Sequence, residues 1–372
     1  MLLYIEPVDT LFFRDNRPFE AGTDNFAEST MASPLTIYGA IGSYLLRRNG
    51  TNVEQFLNGK VEDPVLGYYD EKLENTKLKI TGVFLSWDET PYLPPPANLY
   101  LVDGWNYQTV YPAENTTLKW DIGPGLRPLD WPRGECKPVE GHIPLDEIKQ
   151  NFLQRKPVVL SAGLEPATYF PTEQRFGHRM DRATSVVEEG FLFSATHRRF
   201  KDKLLGERYT KLKLLVKVTD IGTGEVDDVI LLGGEGKKAR LSLRTTEVNL
   251  NDDSTLAEVK NKRRFIVYLL TPAIFREGWQ RTAWPTEFEG ASLVGAAVRK
   301  PLYISGWKRS RMSQGIPRPL RRAVPQGCVY FFQADNWENS QFDRLYSSYN
   351  FNKSLSQEFP CAGFGISLIG AW

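Results

Sequence analysis

The chain has 372 residues, 41% hydrophobic and 24% charged, enough for one large domain or two ordinary ones with cores of their own. Cys136, Cys328 and Cys361 are odd in number, far apart and in no CxxC pair, which argues against a disulfide framework or a zinc site and for a reducing compartment. The net charge of +1 hides a local asymmetry: residues 291–334 contain no acid, while Arg299, Lys300, Lys308, Arg309, Arg311, Arg318, Arg321 and Arg322 all lie there. Glu6, Asp9 and Arg14 interrupt "MLLYIEPVDTLFFRD", which is therefore no signal peptide, and the longest apolar run, "FIVYLL", is too short to span a bilayer. A soluble, cytoplasmic protein is expected.

Residues 1–6 read as a buried strand, followed by the polar loop "FFRDNRPFEAGTDNFAESTMAS". In "SPLTIYGAIGSYLLRR", Ser33 is placed to cap a helix, Pro34 takes its first position, and Leu35, Tyr38, Ile41, Leu45 and Leu46 form its apolar face. Residues 60–165, crowded with Pro, Gly and Trp, read as a decorated insertion without a core. "GFLFSATHRRF" and "TKLKLLVKVTD" read as a hairpin with the basic tip "KDKLLGER". "DDVILL" leads through a glycine loop to the strand "ARLSLR". The order strand, helix, two strands, short helix, strand is the split βαβ arrangement.

The C-terminal part repeats the theme. "RFIVYLLTP" and "GCVYFFQA" are strands, "GASLVGAAVRKPLYIS" is helix or strand, "NSQFDRLYSSY" is a short amphipathic helix, and "CAGFGISLIGAW" is a glycine turn with a final strand. The predicted class is α+β: two ferredoxin-like (RRM-like, βαββαβ) domains, 1–253 and 260–372, with a large loop-rich insertion at about 60–165 in the first.

The glycine loop, "LLGGEGKKARLSLR", would suit a phosphate. A P-loop needs glycine at 231 and a hydroxyl at 238, where the chain has Leu231 and Lys238. The dinucleotide fingerprint fits Gly234, Gly236 and Ala239 loosely, but it must open a helix, and the following residues read as a strand. Without a helix N-terminus a small-nucleotide site is not supported.

Seven motifs in order then resemble one family: "EPVDTLFFRDNRPFEAG", "SPLTIYGAI", "RFGHRMDRATSVVEEGFLF", "LLGGEGKKARL", "LLTPAIFREGW", "SGWKRSRMSQGIPRPLRRAVPQGCVYFF" and "GFGISLIG". The sequence resembles the third subunit of the Cmr complex, the type III-B CRISPR effector, in the RAMP superfamily. His178 stands where the family has an aliphatic residue, and Ser185 where glycine is frequent. The resemblance implies binding of the 5′ handle of CRISPR RNA (crRNA) in antiviral defence. It also implies contact with the large palm-domain subunit and with the adjacent RAMP backbone subunit, and no catalysis by this chain.

A single-stranded RNA needs backbone cations, close main-chain approach and aromatic faces. The candidates are Arg14, Arg17 and Ser33 in the first loop and helix start; Arg175, His178, Arg179 and Arg182 on a loop; and Gly233, Gly234, Gly236, Lys237, Lys238 and Arg240 in the glycine loop. Trp307, Lys308, Arg309, Arg311, Arg318, Arg321 and Arg322, on an extended basic loop, complete the set. Phe19, Phe176 and Trp307 are the stacking candidates. Solvated surface cations or contacts to an acidic protein are the alternatives for each group.

The competing reading is a metal-independent endoribonuclease, which wants a tuned base and acid, most easily histidines. Only His142, His178 and His197 exist, and of these His178 sits where RNA would pass. No H-x-x-x-H, HD or D-x-D arrangement appears, so no metal, cofactor or catalytic residue is assigned. A protein scaffold that touches no RNA is the third reading.

Overall fold

The computed structural model describes residues 1–13, 26–27, 32–114, 125–160, 166–205, 208–219, 221–222, 225–244, 251–309 and 315–372. The candidates Arg14, Arg17, Phe19 and Arg311 lie outside the described residues.

The N-terminal half is built on β1 (Leu2–Pro7), α1 (Pro34–Arg48), β2 (Ile80–Trp87), β3 (Thr90–Leu93), β4 (Ile143–Pro144), β5 (Lys213–Val218), β6 (Asp227–Leu231) and β7 (Lys238–Arg244). Its strands form one sheet in the order β6-β7-β1-β5-β2-β3-β4, antiparallel at every step. The C-terminal half follows with α2 (Asp253–Lys262), β8 (Arg264–Leu269), β9 (Ser292–Ala297), β10 (Val329–Gln333), α3 (Asn339–Tyr349) and β11 (Ser367–Ala371). Its antiparallel sheet has the order β9-β10-β8-β11. Within β7-β1-β5-β2 and within β11-β8-β10-β9 the strands run last, first, third, second, so the two halves share one strand order.

Local chemistry explains α1. Ser33 is extended (ψ 144°), its Oγ accepts from the Leu35 amide, and Pro34 fills the first turn, where an amide would go unused. Ile37, Tyr38, Ile41 and Leu45 then bury one face against Leu3, Ile5, Leu214, Val216 and Leu241 of the sheet. Each large apolar side chain so buried stabilises the fold by about 1.5–3 kcal/mol.

Three expectations are corrected. The stretch ending at Arg198 does not pair with β5: Val187–Arg198 pairs antiparallel with Thr172–Met180 and parallel with Phe26–Ala27. The tip "KDKLLGER" closes a two-stranded ladder of its own, Asp202–Leu205 with Arg208–Lys211, which frees both flanking strands to find distant partners. Residues 227–231 are strand, not helix. Ile230 is buried while Asp228, Val229 and Leu231 are exposed, the one-sided burial of an edge strand. In the second half, β8 and β9 are joined among the described residues by a 3-10 turn, Thr286–Phe288, rather than an α-helix.

Residues 60–165 are not coreless decoration. They supply β2, β3 and β4, and Leu99, Val139, Ile148, Phe152 and Leu153 cover one face of the second sheet at Ile266, Tyr268, Phe331 and Leu368. The Tyr268 hydroxyl donates to the Pro94 carbonyl there. The alternate residues Phe265, Val267, Tyr330, Phe332 and Ile369 face α2, α3 and Phe288 on the other side. The Pro- and Gly-rich composition encodes a closely turned cover: a Cβ on Gly295 would stand 2.9 Å from Pro112.

Candidate nucleic-acid interface

The glycine loop joins β6 to β7. The Leu232 amide donates to the Lys237 carbonyl (2.9 Å), and the Gly234 amide donates to the Phe12 carbonyl (2.8 Å). Gly233 has φ +87°, and a Cβ there would lie 2.5 Å from the Phe12 carbonyl oxygen; one on Gly234 would lie 2.9 Å from the Phe12 ring. These two glycines admit the chain's own Phe12. Gly236, with φ +63° and nothing within 4 Å of a built Cβ, is the glycine that faces open space.

The cations beside the loop differ from one another. Arg240 is held by Asp227 through two bonds (Nε to Oδ1 2.6 Å, Nη2 to Oδ2 2.5 Å), which keeps the Asp227 carboxyl below its ordinary range. Lys237 is 15% exposed and lies 3.8 Å from Asp9. Lys238 is exposed.

Arg175 and Arg199 both hydrogen-bond Glu173, and Arg175 also reaches Asp9 (3.2 Å). Bonds from Arg199 and then Arg175 lower the Glu173 carboxyl below its usual range. At the centre lies His197, 0% exposed and stacked on Phe12 with ring centroids 5.0 Å apart. Its Nδ1 is 3.2 Å from Thr10 Oγ1, and its Nε2 is 3.2 Å from Glu235 Oε2. Sequence reading missed this Thr10, His197, Glu235 row, since the three residues come from distant segments. It has the members of a nucleophile, base and acid row, but Thr10 is 0% exposed and the acid stands at the open end. A substrate cannot reach that hydroxyl.

Residues 175–180 are strand rather than the expected loop, because their backbone pairs with Val187–Arg198. His178 and Arg179 are exposed on it, and Phe176 is 72% exposed. Arg182 is exposed in the connecting turn, where Asp181 Oδ1 accepts from the Ala183 amide and fixes the turn. Ser185 has φ +55°, the left-handed conformation glycine favours. His142 lies elsewhere, with its ring edge-on to Phe170, and burial pushes it down to about 4.

The described parts of the 302–323 arm, residues 302–309 and 315–323, pair as short antiparallel ladders rather than forming a loop. Leu302–Ile304 pairs with Arg321–Ala323, and Trp307–Arg309 pairs with Gly315–Pro317, so Lys308 and Arg309 sit on the outer ladder. The root is tied down: Arg321 donates to Glu358 (2.7 Å), and Arg318 lies over the Phe359 ring (5.4 Å) and reaches the Glu71 carbonyl (3.4 Å). Trp307 is 70% exposed, and Arg322 is exposed. The described candidates thus fall in three places: Arg175 and Lys237 in a salt-bridged cluster beside the glycine loop, His178, Arg179 and Arg182 on the exposed strand and turn, and the cations of the 302–323 arm, with Ser33 acting as a helix cap.

Among the described residues no group of three or more His, Cys, Asp or Glu side chains is arranged to hold a metal ion, and no helix is long and apolar enough to cross a membrane.

An α+β protein of antiparallel sheets with a cation-bearing arm is the class these observations define. The sequence matches the family "CRISPR-associated protein (Cas_Cmr3)" over residues 3–372, and the chain belongs to that family, a subunit of the type III-B CRISPR effector complex. Among solved structures, 22 chains match. A chain of the type III-B Cmr-beta complex bound to cognate target RNA and AMPPnP is 15% identical, with a TM-score of 0.50, covering 94% of this chain and 89% of that one. A chain of the same complex bound to cognate target RNA has the same identity and score and covers 94% of each. At that identity the likeness speaks for the fold. No curated protein matches the sequence.

Proposed function

We propose that this chain is a non-catalytic subunit that binds the 5′ handle of crRNA and docks the large palm-domain subunit onto the adjacent RAMP backbone subunit. Its two halves are read as ferredoxin-like units, an assignment supported by their common strand order, each half having replaced one of the two helices. The observation that carries the RNA reading is the 302–323 arm. It has no acidic residue of its own and presents an exposed Trp307 and Arg322. A solvated arm would not need an aromatic platform, whereas splayed bases stack on one. The solved chains to which this one is similar come from a complex bound to RNA, which fits the same reading.

The absence of catalysis is supported by the histidines. His197 is buried and His142 is held neutral by burial, which leaves His178 without a second histidine to share the acid and base roles. The test is the binding of labelled crRNA, with and without its handle, to the full chain over a salt series, followed by an assay of RNA integrity. Tighter binding of the handle with intact RNA supports the reading. Cleaved RNA would make the chain an endoribonuclease, and equal or absent binding would leave a protein scaffold.

A further inference from the structure

The imidazole of His197 is fully buried, yet its Nε2 makes no hydrogen bond, with Glu235 Oε2 standing 3.2 Å away. The other ring nitrogen is engaged by Thr10, so Nε2 is the side of the ring turned to the glycine loop. A buried polar nitrogen left in this state calls for a better acceptor than the one it faces.

Glu235 is held in an unusual way. It has φ +56°, a left-handed conformation that a glutamate adopts only under constraint, and its side chain is 43% exposed. Gly236 beside it has open space around its Cβ position, so the loop can re-form there, while Gly233 and Gly234 are pinned on Phe12. The groups around the pair are Arg175, Arg199 and Lys237, opposed by Asp9 and Glu173. Removing the Glu235 carboxylate would leave three cations and an imidazole N–H facing two acids.

We propose that the Glu235 carboxylate occupies the place of a phosphate oxygen, and that a phosphate of bound RNA displaces it to accept from His197 Nε2 beside Lys237. This rests on the handle-binding reading and adds to it a gated subsite under the glycine loop. A carboxylate and a phosphate oxygen accept from the same donors, and the phosphate brings more acceptors to the surrounding cations. Burial, the largest influence on His197, keeps the ring neutral, so in the bound form its single N–H is free for Nε2 while Nδ1 accepts from Thr10.

The experiment compares the wild-type chain with Glu235→Gln, which keeps the shape, and Glu235→Gly, which also relieves the backbone. Each is titrated with handle-containing crRNA and, separately, with inorganic phosphate, while the His197 ring proton is followed by NMR; His197→Gln identifies that signal. Both variants are expected to bind the RNA roughly three- to tenfold more tightly, since no carboxylate has to be displaced, while the salt slope stays the same because the same phosphate contact forms in all three. The His197 signal should move on RNA binding in all three forms. Movement with inorganic phosphate only at millimolar levels assigns the subsite to a polymer phosphate, and saturation at lower levels with competition against RNA assigns it to a free anion. Unchanged affinity in both variants, with a His197 signal silent to phosphate and RNA, overturns the proposal. No RNA binding by any form, with phosphate still moving His197, would sink the handle reading and leave this subsite standing.

Discussion

The glycine loop and the 302–323 arm carry the same kinds of residues, cations among Gly, Ser or Pro, but the fold uses them differently. In the loop, Arg240 is clamped by Asp227, Lys237 is largely covered, and two of the three glycines make room for Phe12. In the arm, Arg318 reaches the Glu71 carbonyl, Arg321 pairs with Glu358, and Trp307 is 70% exposed. Composition marks where anions could bind. Whether a cation is already satisfied depends on residues that lie far off in sequence.

The largest effect that would sharpen this comparison is on stability. Gly233→Ala forces a Cβ onto a backbone oxygen at positive φ and should cost about 3 kcal/mol, the sum of left-handed strain and overpacking. Gly236→Ala, at positive φ but in open space, should cost only about 1 kcal/mol. Denaturant unfolding of the two variants reads the difference, and equal losses would mean that the Phe12 contact does not shape the loop.

For RNA the order reverses. The triple variant Lys308→Ala, Arg309→Ala, Arg322→Ala should weaken handle binding about 100-fold at moderate salt and flatten the salt slope by about 2, as loss of three single-strand phosphate contacts requires. Trp307→Ala should cost roughly 1–3 kcal/mol of binding through lost stacking. With 70% of that side chain already in water, its unfolding midpoint should not move. A Trp307 variant that lost stability and kept affinity would break the contrast between the arm and the loop.

Arg240→Ala should have the smallest effect, leaving the unfolding midpoint close to that of the wild type, because its pair with Asp227 is exposed and screened. Lys238→Ala, which removes an exposed charge, should weaken RNA binding more than Arg240→Ala does. Parallel binding curves at one salt concentration decide between them.

Much of the fold was legible where the signal is local. Ser33 and Pro34 announce the start of α1, and the apolar runs "RFIVYL" and "VYFFQ" are β8 and β10. What failed was pairing. Val187–Arg198 and β5 are separated by a basic tip that looks like a hairpin turn, and it is one, but for its own short ladder. Residues 60–165 were misread for a related reason: Leu99, Phe152 and Leu153 are scattered between prolines and glycines, and only the second sheet gives them a common surface. At the candidate site, the acid-free run and Trp307 were readable, but the roles of Asp9, Asp227 and His197 were not. Each of these acts through a partner at least 13 positions away, as in Arg240 with Asp227 and His197 with Thr10.

The most direct test of the central claim is ultraviolet crosslinking of handle-containing crRNA to the chain within the assembled effector complex, with the crosslinked peptides mapped by mass spectrometry. The account predicts crosslinks from the handle to the 302–323 arm, with Trp307 among the modified residues. Handle crosslinks confined to other subunits, with the arm unmodified, would contradict it.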